Sequence, residues 1–246
     1  MIHLECAKIW GGNEDTDTSL ETGAIRAALF SSSCDGGKGG DVYYFSVCGE
    51  DRLTRVALAD VVGHGEPVSA IGAWLYEAVA ARVNSVEGNG ILSELNLLAV
   101  EKGYHAMATA SVLALHRERR ELYYSNAGHP PLWLFSRRHG TWEPLEVSGE
   151  AAHANLPLGV FDDAEYPQAV RGVEPGDWIL AFTDGVTEAA NVEGAMFGLQ
   201  GLLEVMKQHP CQDSQCLKGA ILEALRKHTG GALEHDDVTL IILEVQ

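Results

Sequence analysis

The stretch Asp41–Asp60, "DVYYFSVCGEDRLTRVALAD", decides how the rest of the chain is to be read. Val42–Val47 and Thr54–Ala59 are apolar-rich runs of strand length. The turn-forming "CGEDR" between them predicts a β-hairpin. A turn centred between Glu50 and Asp51 fixes the pairing down the ladder, and at its open end Asp41 faces Asp60. Like charges directly opposite each other destabilise a sheet. A cation bound between them turns that penalty into a binding site. Gly39-Gly40 before Asp41 and Gly63-His64-Gly65 after Asp60 keep the flanking backbone small and adaptable.

The C-terminal part repeats the pattern. "WILAF" (Trp178–Phe182) reads as a buried strand, with Asp184 and Gly185 just beyond its end. Alone, Asp-Gly after a strand is a favoured turn. "HDDVTLIILEV" opens another strand with Asp236 and Asp237, and if the two strands are antiparallel neighbours their acids meet at one edge. Two acidic pairs at open sheet ends can converge on one cluster. Carboxylates without a Cys or His set favour Mg²⁺ or Mn²⁺, which prefer oxygen ligands.

Around these stretches the periodicity predicts helices over Glu66–Val83, Ile91–Glu101, Leu199–Gln208 and Ser214–His228. Met107–Leu115 with Leu122–Ser125 forms a second hairpin, and Pro131–Phe135 and Val238–Val245 are further strands. Trp142, Leu145 and Val147 suggest a short strand within the polar, loop-rich residues 136–170. Ser31–Gly40, "SSSCDGGKGG", reads as a surface loop. Hairpins grouped apart from helix pairs give an α+β fold with largely antiparallel sheet. No linker or repeat divides the 246 residues, so one domain over 1–246 is expected.

Seventeen basic against 35 acidic residues give a net charge of −18, which disfavours a nucleic-acid partner. No run reaches the ~18 apolar residues of a membrane helix, and the N-terminus lacks a signal-peptide core, so a cytoplasmic protein without a membrane partner is expected. The five cysteines form no CxxC pair and read as reduced thiols.

"GGDVYYF", "ADVVGHGEPVSA", "YSNAGHPPLWL", "LAFTDGVTEAANVEGAMFG" and "HDDVTLIILEV" follow one another in an order that resembles the metal-dependent protein phosphatases of the PPM (protein phosphatase 2C-like) superfamily. The resemblance is to the bacterial branch typified by stage II sporulation protein E and RsbU, and it covers about 39–246. It implies a β-sandwich of two antiparallel sheets flanked by helices, with two Mn²⁺ or Mg²⁺ ions at one end. Position by position, Asp41, Asp60, Asp184 and Asp236 match the metal-binding acids, and the carbonyl of Val61 matches a main-chain ligand. Glu188 lies where relatives hold a further, weaker metal. Asp237 is assigned to holding the loop or opening the strand. His64 is a candidate general acid for the leaving oxygen, or else serves the start of the Glu66 helix. His129 reads as part of a turn with Asn126, Gly128 and Pro130, and His235 as a surface residue. The sequence departs from the family's pattern at Val62, where a small residue is usual, and at Tyr44, where an acid is frequent.

The function implied is hydrolysis of phosphoserine or phosphothreonine on a protein, with a small STAS-domain anti-sigma-factor antagonist as the expected substrate and a separate chain as regulator. Two alternatives are a catalytically silent partner-docking module and a small-molecule phosphoesterase. Retention of all four acids argues against the first.

Overall fold

The structure is a computed structural model, and it describes residues 1–5, 8–48, 50–82, 88–148, 153–208 and 211–246. The expectations that touch Cys6, Gly49, Val83 and residues 149–152 fall outside these. In chain order the strands are β1 (Ile2–His3), β2 (Ile9–Glu14), β3 (Thr16–Glu21), β4 (Ile25–Ser32), β5 (Lys38–Cys48) and β6 (Leu53–Val61). Helices α1 (Ser69–Arg82) and α2 (Gly88–Lys102) follow, then β7 (Ala108–His116), β8 (Glu121–Ala127), β9 (Leu132–Ser136), β10 (Thr141–Leu145), β11 (Ala169–Gly172) and β12 (Trp178–Phe182). The chain ends with α3 (Asp184–Thr187), α4 (Gly198–Gln208), α5 (Ser214–Thr229) and β13 (Val238–Val245).

One sheet has the order β1-β3-β4-β13-β12-β9-β10 and the other β11-β8-β7-β6-β5-β2. The pairings are antiparallel except β1 with β3. The fold is thus two mostly antiparallel sheets flanked by helices.

Strand parity explains the layers. Tyr43, Phe45, Val56, Leu58, Ile179, Ala181, Ile241 and Leu243 fill the space between the sheets. Their sequence neighbours Val42, Tyr44, Ala57 and Ala59 pack on Leu75, Val79 and Leu95 of α1 and α2. On the other side Leu180, Phe182, Leu240 and Ile242 pack on Leu202, Leu217 and Ile221 of α4 and α5. Both faces of each sheet are covered, so the central strands read as continuous apolar runs.

The hairpin register pairs Val42 with Ala59 and Cys48 with Leu53, the pairing expected from the turn. Glu50 and Asp51 both adopt positive φ, 58° and 64°, the backbone of the mirror-image turn whose twist suits a hairpin. One expectation needs correction. Residues 31–40 are not all loop: Ser31 and Ser32 end β4, and Lys38–Gly40 already belong to β5. The chain before Thr22, to which the sequence alone assigned no element, contributes β1, β2 and β3, where β3 pairs with β4, β2 with β5 and β1 with β3. Among the described residues no helix is long and apolar enough to cross a membrane.

Candidate metal centre

The same parity places the acids. Asp41 shares the side of β5 taken by Tyr43 and Phe45, and Asp60 the side of β6 taken by Val56 and Leu58. Both therefore lie at the rim of the space between the sheets, where the register of Val42 with Ala59 carries on to set them level. From the facing sheet, Thr183 extends β12 and Asp237 lies just before β13, again on the inward side. The Thr183 hydroxyl crosses the gap and donates to Asp41 Oδ2 at 2.8 Å. Its oxygen in turn accepts from the Thr239 N–H at 2.9 Å. A hydroxyl thus bridges the two sheets where the apolar core stops.

Burial gives these carboxylates unusual electrostatics. Asp41 is 3 % exposed. Loss of hydration pushes its pKa up to about 8, against the pull of the Thr239 and Thr183 hydroxyls. Its Oδ1 has no hydrogen-bond partner of good geometry. Asp60 is pushed further, to about 10, first by burial and then by the charges of Asp41, Asp184 and Asp236. Burial and the charge of Asp184 also raise Asp236. Four acids from four segments therefore sense one another at one rim. Among the described residues no three are drawn together as a closed ligand set. The coupling among them appears in the raised pKa of Asp60, to which a hydrogen bond with Asp184 also contributes.

The donors fit a hard divalent cation. They are oxygens only, and a buried carboxylate oxygen without a partner is the group a cation satisfies. Close packing shapes the surrounding backbone. A Cβ on Gly39 would run into the Asp237 carboxylate, and one on Gly185 into the Asp237 carbonyl. Gly40 lies against the Val61 and Gly63 carbonyls, so Val61 O borders the backbone next to Asp41.

Asp237 is buried, and its carboxylate accepts from Cys34 N (2.9 Å), Gly40 N (2.7 Å) and Gly65 N (3.0 Å). One side chain thereby ties the loops beside Asp41 and after Asp60 to the strand that follows Asp236. Asp184 opens the short helix α3, so Asp-Gly here is not a hairpin turn. Glu188 closes that helix and is exposed, its N–H donating to the Asp184 carbonyl at 2.7 Å.

His64 is exposed near Asp236, whose carboxyl its charge lowers, and its Nδ1 lies 3.2 Å from Cys34 Sγ. It does not cap the following turn, which starts from Gly65 with no side-chain cap. Buried Tyr44 faces α1, with its ring 6.2 Å from Tyr76 and away from the acids. Val62 is 59 % exposed.

His129 was legible only as a turn residue. Asn126 does form that turn, bonding both His129 N and O. The imidazole, however, is buried, with Nδ1 2.7 Å from the hydroxyl of Thr109, the register partner of Asp60. Burial holds its pKa down to about 3, and the Phe182 carbonyl offsets this only in part. His235 is half-buried rather than on the surface, with Nε2 2.9 Å from the Gly185 carbonyl. The sequence signal for His129 was weak because a buried polar residue next to a turn resembles a turn residue.

The family model for stage II sporulation protein E (SpoIIE) matches residues 50–246. The chain is 28 % identical over 229 residues to phosphoserine phosphatase RsbU of Bacillus subtilis, covering 92 % of this chain and 64 % of RsbU. It spans less than two thirds of the length of the curated relatives it matches. The PP2C phosphatase domain of the cell fate determinant SpoIIE from B. subtilis, solved with a fragment of its regulatory domain, superposes with a TM-score of 0.74 at 15 % identity. That match covers 98 % of this chain and 64 % of the other. The catalytic domain of the serine/threonine protein phosphatase PstP, solved with two manganese ions, gives a TM-score of 0.57 at 20 % identity, covering 90 % and 98 %. Both likenesses concern the fold.

Proposed function

Because the chain belongs to the stage II sporulation protein E family, we propose that it is a metal-dependent phosphatase of phosphoserine or phosphothreonine in proteins. The observation that carries the reading is the rim cluster, in which burial and three neighbouring acids push the Asp60 pKa up to about 10. Such an arrangement costs folding energy and is relieved by cations. Asp41, Asp60, Asp184 and Asp236 would hold two Mn²⁺ or Mg²⁺ ions, with the Val61 carbonyl as a main-chain donor and Glu188 beside a further, weaker site. When bound, the ions would activate water and neutralise phosphoryl charge, which answers the very slow background hydrolysis of phosphate monoesters.

The chain's own residues supply the rest. Asp237 fixes the loops that carry the acids, and Thr183 orients the Asp41 carboxylate. Exposed His64 would give a proton to the leaving oxygen. The acids stand at a strand-end rim with Val62 and His64 exposed beside them, which suits a phosphorylated side chain presented by another protein. A STAS-domain antagonist dephosphorylated in the cytoplasm, under a separate regulatory chain, is the substrate class we favour.

The test compares kcat/KM with Mn²⁺ for a chromogenic phosphate ester and for a phosphorylated STAS-domain protein. Slow ester turnover and efficient phosphoprotein turnover, both abolished by a chelator, are expected. Equal turnover of the two would replace the reading with a small-molecule phosphoesterase. No metal-dependent turnover of either would leave a docking module.

A further inference from the structure

Away from the acids, α5 begins with an arrangement that the phosphatase reading does not use. Asp213 caps the helix, its carboxylate accepting from Cys216 N at 2.8 Å, which puts Cys216 in the first turn. Cys211 lies in the segment before the helix, and the two Sγ atoms are 2.6 Å apart. Cys216 is exposed and Cys211 half-buried, and both are free thiols. Cys211 also lines a groove of about 630 Å³ with Phe135, Trp142, Trp178 and Met206. Trp178 starts β12, whereas Asp184 follows the other end of that strand, so Cys211 lies beside the end of β12 remote from Asp184.

We propose that Cys211 and Cys216 are a site of reversible oxidation that closes to an intramolecular disulfide. Their division of labour follows from their surroundings. Cys216 is exposed, so an oxidant in solvent reaches its sulfur directly. Cys211 is shielded, and burial, with Cys216 beside it, pushes its thiol up to about 12. Cys216 is therefore the attacking sulfur and Cys211 the resolving one. With a peroxide as oxidant, the Cys216 thiolate takes one oxygen to become a sulfenic acid, and the peroxide is reduced to water. Cys211 sulfur then attacks Cys216 sulfur: the S–S bond forms, the S–O bond breaks, and hydroxide leaves with the Cys211 proton as water. Two thiols lose two electrons in all, and a dithiol reductant reverses the change by exchange. A protein of reducing surroundings can carry such a bond as a transient, sensing disulfide.

The experiment treats the full chain with hydrogen peroxide and counts thiols in denaturant. The five cysteines should fall to three, with a mass loss of two hydrogens and a cross-linked peptide joining Cys211 to Cys216. Dithiothreitol should restore all five. In Cys211→Ala the same treatment should stop at a Cys216 sulfenic acid, trapped by dimedone several-fold more than in the wild type. Turnover of a chromogenic ester should be the same before and after oxidation. The proposal is overturned if all thiols survive, if the lost thiols map elsewhere, if Cys216 runs to sulfinic acid without a cross-link, or if Cys211→Ala still loses two thiols.

Discussion

At the scale of the residue, the decisive quantity is the cost of keeping carboxylates dry. Asp41 and Asp60 have folded pKa values above those of an unfolded chain, at about 8 and about 10. Their contribution in the metal-free protein is therefore intact below the ordinary carboxylate value and is lost as pH rises through the folded values. Asp60→Asn should leave the metal-free protein as stable as wild type near pH 4 and more stable, by on the order of 1 kcal/mol or more, near pH 8. Asp60→Asn and Asp184→Asn should each cut metal-dependent turnover by ~10²-fold or more, as loss of a principal charge at a reacting phosphoryl group does. Near wild-type activity in either would remove these acids from the ligand set. His129 has the opposite sign. Its folded pKa, about 3, lies below that of free histidine, so its contribution is complete above about pH 6.5 and is lost as pH falls toward 3. His129→Gln should remove a few kcal/mol of acid sensitivity between those limits. An unchanged pH profile of urea unfolding would show that the imidazole is not held neutral. The opposed pair Asp41 and Asp60 was legible in the sequence, because a hairpin's turn fixes every pairing above it. His129 was not, because nothing in "NAGHP" says which strand will cover the ring.

At the scale of the element, the centre depends on how closely three segments approach one another. Asp237 binds the backbones of Cys34, Gly40 and Gly65, and Gly39 leaves no room for a side chain against it. Gly39→Ala should destabilise the fold by about 1–3 kcal/mol, the usual cost of forcing an atom into a packed site. Asp237→Asn exchanges an acceptor for a donor opposite N–H groups. It should weaken Mn²⁺ binding ~10-fold or more, as outer-shell changes do, with turnover recovering at saturating metal. Calorimetric titration with Mn²⁺ separates the two roles. Unchanged affinity with lowered stability would make Asp237 a purely structural residue. The central strands and the main helices were readable from period and length. The N-terminal strands β1 to β3, at or next to a sheet edge, were not, since their pairing is dictated by the neighbour rather than by the strand's own pattern.

At the scale of the whole molecule, two sheets converge so that acids far apart in sequence meet at one rim. That site exists only in the folded chain, so a cation that binds it must stabilise the fold. At about 100 times its dissociation constant, Mn²⁺ should add about 2.7 kcal/mol and raise Tm by several degrees. The shift should be smaller in Asp236→Asn, and no shift in the wild type with either Mn²⁺ or Mg²⁺ would count against a preformed site. The sequence by itself determined the α+β class, the central hairpin and its register, and the placing of Asp41, Asp60 and Asp184 at strand ends, because these follow from local periodicity and turn chemistry. Only the tertiary structure decided that Asp41 and Asp60 face inward, that Thr183 reaches Asp41 across the sandwich, that Asp237 binds three loops, and that Cys211 and Cys216 touch. Those contacts depend on which face of one sheet is laid on which face of the other. Packing of the whole core settles that choice, and no local stretch of sequence contains it.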